Sequence, residues 1–456
     1  MSVTKTYWMT TLGCPKNRVD SDKIESKMLD EGLQLSESIE GADLVVINTC
    51  AFIDVAREES IATILDAAEA KRPSARLVVT GCLAERYGSE LAQELPEVDL
   101  VAGFGVDFIS EQSASPKPTF GGPVLLGTVI TRRSRTTSTE RSSVGSGSYR
   151  SAHVGDVELS LPAMDLLNLP RRTTTSPWAY VKVAEGCDKA CGFCAIPSFR
   201  GAQVSRPMEA IVEEASALAI EEVVLVAQDL ANYGRDIYGK SRLLDLYREI
   251  SNVVPWVRLL YLYPSELTPA LIAEMAASEV PYFDLSLQHV SRPLLRRMRR
   301  FGSGSIFLER IAAIRALRPE ATFRSNFILG YPGETDADHR ELVSFIEQAE
   351  LDWVGFFTYS QEEGTYAAGL DGVVDRSLAL ERLNELTEIQ DRITQRKRSA
   401  LIGDRLNVLV EREGVARSFR EAPEIDGNIL VDPSLVVGSR CEVVVDDCSG
   451  IDLLAH

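Results

Sequence analysis

The chain has 456 residues, a formal net charge of -19, and is 45% hydrophobic and 25% charged. These are the proportions of a soluble globular protein, and the length allows two or three domains that each bury a core, which excludes disorder of the whole chain. No apolar run is long enough to span a bilayer and the start, MSVTKTYWMTTLGC, has no charged-then-apolar signal pattern, so no membrane association and a cytoplasmic location are expected. The acidic balance repels phosphate backbones and suits a basic partner better than free tRNA. Eight cysteines in a reducing compartment point to ligation rather than a disulfide framework. Four histidines, His153, His289, His339 and His456, are too scattered for a His-based metal site.

Residues 4–11, 43–48 and 76–80 are apolar runs of strand length, separated by helical patterns at about 21–30 and 55–71. They predict an α/β class, beginning with a three-layer α/β domain on a parallel sheet over 1–118, each strand ending close to a cysteine. Residues 119–172 are expected to be a linker, in which 131–150 holds ten Ser/Thr and five Arg, the composition of a solvated tether. Over 173–400 strand and helix alternate six times, with strands expected at 178–184, 222–228, 257–263, 282–287, 322–329 and 353–359. Six units predict a partial (β/α)6 barrel rather than a closed eight-stranded one, followed by a charged amphipathic helix over 373–399. Residues 401–456 change to the short runs LNVLV, NILVD and CEVVVDD, punctuated by Gly and Pro, and predict a small all-β barrel.

The segment EGCDKACGFCAIPSFRG places Cys187, Cys191 and Cys194 directly after the first barrel strand, with Gly186 and Gly192 allowing the backbone to fold round a bulky ligand. Three thiolates can hold three irons of a cubane and leave the fourth open. A zinc site would want four ligands, usually in paired knuckles, and no partner pair follows; a redox pair of Cys191 and Cys194 is the other reading. Cys14, Cys50 and Cys82 are spaced too widely for a local knuckle, but parallel strands joined by crossover helices bring their ends together at the carboxyl edge of the sheet. Convergent there, they would hold a second cluster; otherwise they are three unrelated buried thiols. Cys441 and Cys448 read as small apolar filler. Arg292, Arg296 and Arg300 lie four apart and are expected to share a helix face, either solvated or in contact with RNA or a substrate carboxylate.

The Cys-x3-Cys-x2-Cys run before a six-unit barrel resembles the radical S-adenosylmethionine superfamily. The resemblance implies that S-adenosylmethionine chelates the open iron and is cleaved by one electron to a 5'-deoxyadenosyl radical. It also directs attention to the inner mouth of the barrel, where Gln228, Ser286, Gln288 and Arg324 are expected to close apolar strands. FILGYPGET adds Gly330, Gly333 and Glu334, like the glycine motif that the superfamily places near the adenine. Each of these residues could equally be a turn or a cap.

TLGCPKN, NTCAFIDVAREES, a later Gly-Cys, the radical motif and the terminal barrel are together similar in order and spacing to the methylthiotransferases. That similarity implies two 4Fe-4S clusters, one of them carrying sulfur, and a second S-adenosylmethionine supplying the methyl. It further implies an electron donor such as flavodoxin or ferredoxin, and a sulfur donor. Gly13-Cys14-Pro15-Lys16-Asn17, CAIPSFRG, LLYLYPSEL and DLSLQH look like the RimO branch rather than the tRNA-modifying MiaB-type branch, although Ala51 stands where the branch usually has glycine. The implied acceptor is the β-carbon of an aspartate in ribosomal protein S-twelve of the small subunit. The terminal unit resembles TRAM domains, yet its five Arg, no Lys and eleven Asp/Glu make it acidic, which suits a basic ribosomal protein better than RNA. A tRNA adenosine methylthiotransferase and a non-catalytic iron-sulfur RNA-binding protein are the alternatives.

Overall fold

A computed structural model describes residues 5–110 and 149–456. The chain divides into two compact units, Met1–Arg171 and Arg172–His456. No helix among the described residues is long and apolar enough to cross a membrane.

The first unit is built on Thr6–Thr11, Leu44–Thr49 and Arg76–Gly81, paired in parallel in that order. Every residue of Leu44–Thr49 is buried, as expected of a central strand covered on both faces. Leu100–Ala102 extends the sheet in parallel on one side and Gln34–Leu35 on the other. The helix expected from residue 21 begins six residues earlier, at Pro15. Proline is suited to the first helical position because its missing N–H has no intrahelical use there. Periodicity could not find this stretch, because beside the single apolar Val19 it buries the polar Asn17 and Asp20, and the buried Ser21 and Lys23 continue that polar face. The Lys23 ammonium donates to the Leu167 carbonyl at 2.5 Å.

The structure differs from the expected linker at 149–162. Tyr149–Val154 and Val157–Pro162 form an antiparallel hairpin that completes the seven-stranded sheet, with Ala102 opposite Ala152. Only Ala152 of the twelve strand residues is fully buried, so the two-residue alternation that announces a strand is almost absent. Most of the Ser/Thr/Arg-rich 131–150 stretch lies outside the described residues.

In the second unit six parallel strands follow one another in chain order: Trp178–Lys182, Glu222–Val226, Trp256–Leu259, Tyr282–Gln288, Thr322–Leu329 and Trp353–Thr358. The first three and the last three form two runs, joined by a parallel bridge between Leu262 and Leu285. Fully buried Val181, Val223, Leu225, Leu259, Phe323 and Phe327 form part of the core. The Arg376–Ser399 helix leads into a closed barrel of five strands, Arg405–Arg412, Val415–Arg417, Ile429–Leu430, Arg440–Ser449 and Asp452–Ala455.

The segment 417–426 of this small barrel meets the amino ends of the large barrel's strands. Glu222 is bonded by Arg258 Nε and Arg417 Nη2, both at 2.7 Å, and the three side chains are almost completely buried. The Tyr180 hydroxyl donates to the Pro423 carbonyl at 3.0 Å, and the Tyr282 hydroxyl to Asp426 at 2.6 Å. Burial alone would raise the Glu222 carboxyl, but Arg258 and Arg417 outweigh it and hold the group below the ordinary carboxylate range. Removing one partner of a buried ionic network leaves a charge without compensation. Arg417→Met is therefore expected to destabilise the second unit by about 3–5 kcal/mol, read as a lower urea midpoint; an unchanged midpoint would contradict the arrangement.

Candidate functional site

The cysteine loop of the second unit leaves the Trp178–Lys182 strand through Ala184–Glu185, which pairs antiparallel with Val204–Ser205. Gly186 has a φ of +78°, and a Cβ there would stand 2.2 Å from the Ala202 carbonyl oxygen, so only glycine fits the turn. The loop is pinned by three backbone bonds: Cys187 N to Gly201 O at 3.1 Å, Gly192 N to Met298 O at 2.8 Å, and Ala367 N to Gly192 O at 2.8 Å. Burial pushes the Cys187 thiol up to about 11 and the Cys194 thiol to about 12, and neighbouring cysteines add to both shifts. The three sulfurs thus lie within electrostatic reach of one another, in surroundings where a metal must displace the protons to make them ligands.

Polar side chains surround this loop at the carboxyl edge of the barrel. Glu185 is bonded by Lys182 Nζ at 2.7 Å, Arg200 Nη1 at 2.8 Å and Gln228 Nε2 at 2.5 Å. Buried Asp229 accepts from Asn232 at 2.6 Å and lies 3.8 Å from Lys189, whose ammonium also pairs with Glu266 at 3.1 Å. Glu185, Lys189 and Tyr263 were not singled out by sequence reasoning. The one signal for Glu185 is an acid placed directly before the Gly-Cys pair.

The residues expected to contact S-adenosylmethionine separate into three groups. Gln228, Ser286 and Gln288 stand at the carboxyl edge; the buried Gln228 Oε1 has no hydrogen-bond partner among the described residues, and Gln288 has a φ of +70° beyond the register shift that follows Leu285. Gly330 and Gly333, with φ of +74° and +89°, form the turn after Thr322–Leu329. Glu334 braces that turn, because one oxygen accepts from Gly330 N at 2.5 Å and the other from Arg382 Nη1 at 2.9 Å. Both carboxylate oxygens are thereby engaged within the protein. Arg324 is not at this edge. It is the third residue of an eight-residue strand and lies toward the amino end, 3.6 Å from Asp284 and 3.4 Å from Asp426. The expectation failed because the strand continues for five residues beyond its charged position.

In the first unit, the register that sets Thr11 opposite Asn48 and Thr49 opposite Gly81 brings the three cysteine-bearing segments together. Cys14 stands directly before the Pro15–Asp30 helix, Cys50 directly follows its strand, and Cys82 opens the Cys82–Glu94 helix. A Cβ at Gly13, whose φ is +90°, would stand 2.7 Å from the Cys50 sulfur. Asn17 links the segments: its Nδ2 donates to Leu12 O at 3.0 Å and Thr49 O at 2.9 Å, and its Oδ1 lies 3.6 Å from the Cys82 sulfur. Asn17 stood in the TLGCPKN signature without a role; the structure makes it the bracket of the three strand ends.

Among the described residues, no three His, Cys, Asp or Glu side chains are arranged to hold a single metal ion. A cubane asks for something different, since each thiolate binds a separate iron and the sulfurs need not converge on one point. Both trios offer three soft ligands on closely approaching backbone with no fourth cysteine, which fits such a group.

Residues 6–103 match the uncharacterized protein family UPF0004, 181–346 the radical SAM superfamily, and 402–456 the TRAM domain. Together with the partial barrel and its cysteine loop, these matches define a radical S-adenosylmethionine enzyme carrying a TRAM domain, whose cofactors are 4Fe-4S clusters and S-adenosylmethionine. Over nearly its full length the chain is similar to proteins named ribosomal protein uS12 methylthiotransferase RimO. The one from Salinispora tropica is 41% identical over 98% of this chain and 94% of its own. That of Cutibacterium acnes is 41% identical over 99% and 98%, and that of Moorella thermoacetica 42% identical over 93% of each. The chain belongs to the RimO family of radical S-adenosylmethionine methylthiotransferases.

Because a side chain at Gly186 would collide with fixed backbone, Gly186→Ala is expected to distort the Cys187 loop without touching the first unit. After anaerobic reconstitution it should hold about half of the wild-type iron, one cubane of two. Full iron content would show that the loop tolerates the change.

Proposed function

We propose that this protein adds a methylthio group to the β-carbon of an aspartate in ribosomal protein uS12, in the cytoplasm. In this reading Cys187, Cys191 and Cys194 hold the cluster that binds S-adenosylmethionine, and Cys14, Cys50 and Cys82 hold the cluster that carries sulfur. A flavodoxin or ferredoxin supplies electrons and a separate donor supplies sulfur. The observation that carries the proposal is the near-full-length relationship at 41% identity to proteins named for this activity, combined with two cysteine trios that each sit at the carboxyl edge of their own sheet.

When bound, the radical cluster and its S-adenosylmethionine supply the chemistry that removes hydrogen from an unactivated carbon. The protein's part is placement. Three thiols per cluster leave one iron without a protein ligand, and the backbone bonds of Cys187 and Gly192 hold the loop at the barrel mouth. Gln228, with its spare buried acceptor, and the turn Gly330–Gly333 stand at the same edge for cofactor contacts. The small barrel presents exposed Glu413, Asp432 and Asp447, a surface that attracts a basic protein and repels RNA.

Deleting the gene separates the acceptors. The uS12 peptide should lose the mass of one methylthio group while the modified nucleosides of tRNA stay unchanged. An altered tRNA profile with an unaltered uS12 peptide would transfer the protein to the nucleoside-modifying reading.

A further inference from the structure

The arginine-rich segment after the Tyr282–Gln288 strand divides in the structure. The Arg292–Arg297 helix leaves Arg292 and Arg296 exposed, as a solvated face would be. It then stops, and Arg299 takes a φ of +55°, which turns Arg300 away from that face and toward the cysteine loop. Arg300 Nη1 lies 3.4 Å from the Cys191 sulfur, and Nη2 donates to the Ser286 carbonyl. Its guanidinium carbon stands 3.9 Å from the Tyr263 ring centroid. The nearby Lys189 ammonium is paired with Glu266, whereas no carboxylate pairs with Arg300 among the described residues, and its buried Nε has no acceptor there.

We infer that Arg300 is a positioning residue that sets the reduction potential of the cluster held by Cys187, Cys191 and Cys194, through a charged hydrogen bond to the Cys191 sulfur. The inference rests on the assignment of that trio as cluster ligands. Reduction adds one electron, supplied by a low-potential donor, to a group already ligated by thiolates. A fixed cation donating to a ligand sulfur stabilises the more negative, reduced state, and it does so strongly where water is partly excluded. The Tyr263 face holds the planar guanidinium in register, which a flexible ammonium would not match. Arg300 therefore raises the potential, bringing the cluster within reach of its reductant.

The test uses the full chain with Cys14→Ala, Cys50→Ala and Cys82→Ala, so that one cluster reports. It is reconstituted with iron and sulfide and titrated with dithionite, without S-adenosylmethionine, while the paramagnetic reduced cluster is followed. Arg300→Gln should lower the reduced-to-oxidised ratio at fixed potential about tenfold, a shift of about 59 mV for one electron. Arg300→Lys should recover part of this, and Arg296→Gln, which removes an exposed charge nearby, should leave the midpoint unchanged. Iron bound normally in Arg300→Gln with an unchanged midpoint would overturn the inference alone. An equal shift in Arg296→Gln would assign the effect to general charge and also overturn it. Loss of iron in Arg300→Gln would make Arg300 an assembly residue and reject its role in the potential. No iron in the triple-alanine background itself would overturn the ligand assignment beneath it.

Discussion

A parallel sheet hands the carboxyl ends of all its strands to one edge, because each crossover helix returns the chain to the opposite edge before the next strand begins. Both cysteine trios depend on that polarity. In the first unit it gathers Cys14, Cys50 and Cys82 from three strand ends about one helix apart in sequence. In the second it places Cys187, Cys191 and Cys194 in one loop at the mouth formed by six parallel strands. The first trio, by its spacing, converges only through that polarity, whereas the second is already local in sequence and owes to it the rim of strand ends around the loop.

The same polarity leaves the amino ends of the second unit's strands for another purpose. There Glu222, Arg258 and Arg417 form a buried ionic network, and Tyr180, Tyr282, Asp284 and Arg324 extend it to the 417–426 segment of the small barrel. Buried ion pairs are weak contributors to net stability, but each of these groups fits only a specific partner, and together they fix how the small barrel seats. Charge at one end thus fixes the seat of the small barrel, and charge at the other surrounds the cysteine loop. Arg324 and Arg300 illustrate the division: both arise near barrel strands, one serving the seat and the other lying against a cysteine sulfur.

Much of this was legible in the sequence, for reasons that can be stated. Apolar runs of five to eight residues between amphipathic stretches announced the nine strands that carry the two sites, and the close Cys187 run announced its loop. What escaped notice lacked apolar periodicity or depended on tertiary register. The amino-terminal half of the Pro15–Asp30 helix buries asparagine, aspartate and lysine, and the 149–162 hairpin buries one alanine. Glu334 looked like a ligand because a carboxylate after glycines is chemically ambiguous; only Arg382, 48 residues later, shows where its charge is spent. Arg300 looked like part of a helical face because the break at Arg299 is a backbone event that no side-chain pattern encodes.

The central claim is that two separate cysteine trios each hold a cubane, one per parallel sheet. Iron analysis of the anaerobically reconstituted chain tests it most directly, comparing the wild type with Cys14→Ala, Cys50→Ala, Cys82→Ala and with Cys187→Ala, Cys191→Ala, Cys194→Ala. The account predicts about eight irons per wild-type chain and about four in either triple variant. About four irons in the wild type, abolished by the second set of substitutions and untouched by the first, would contradict it.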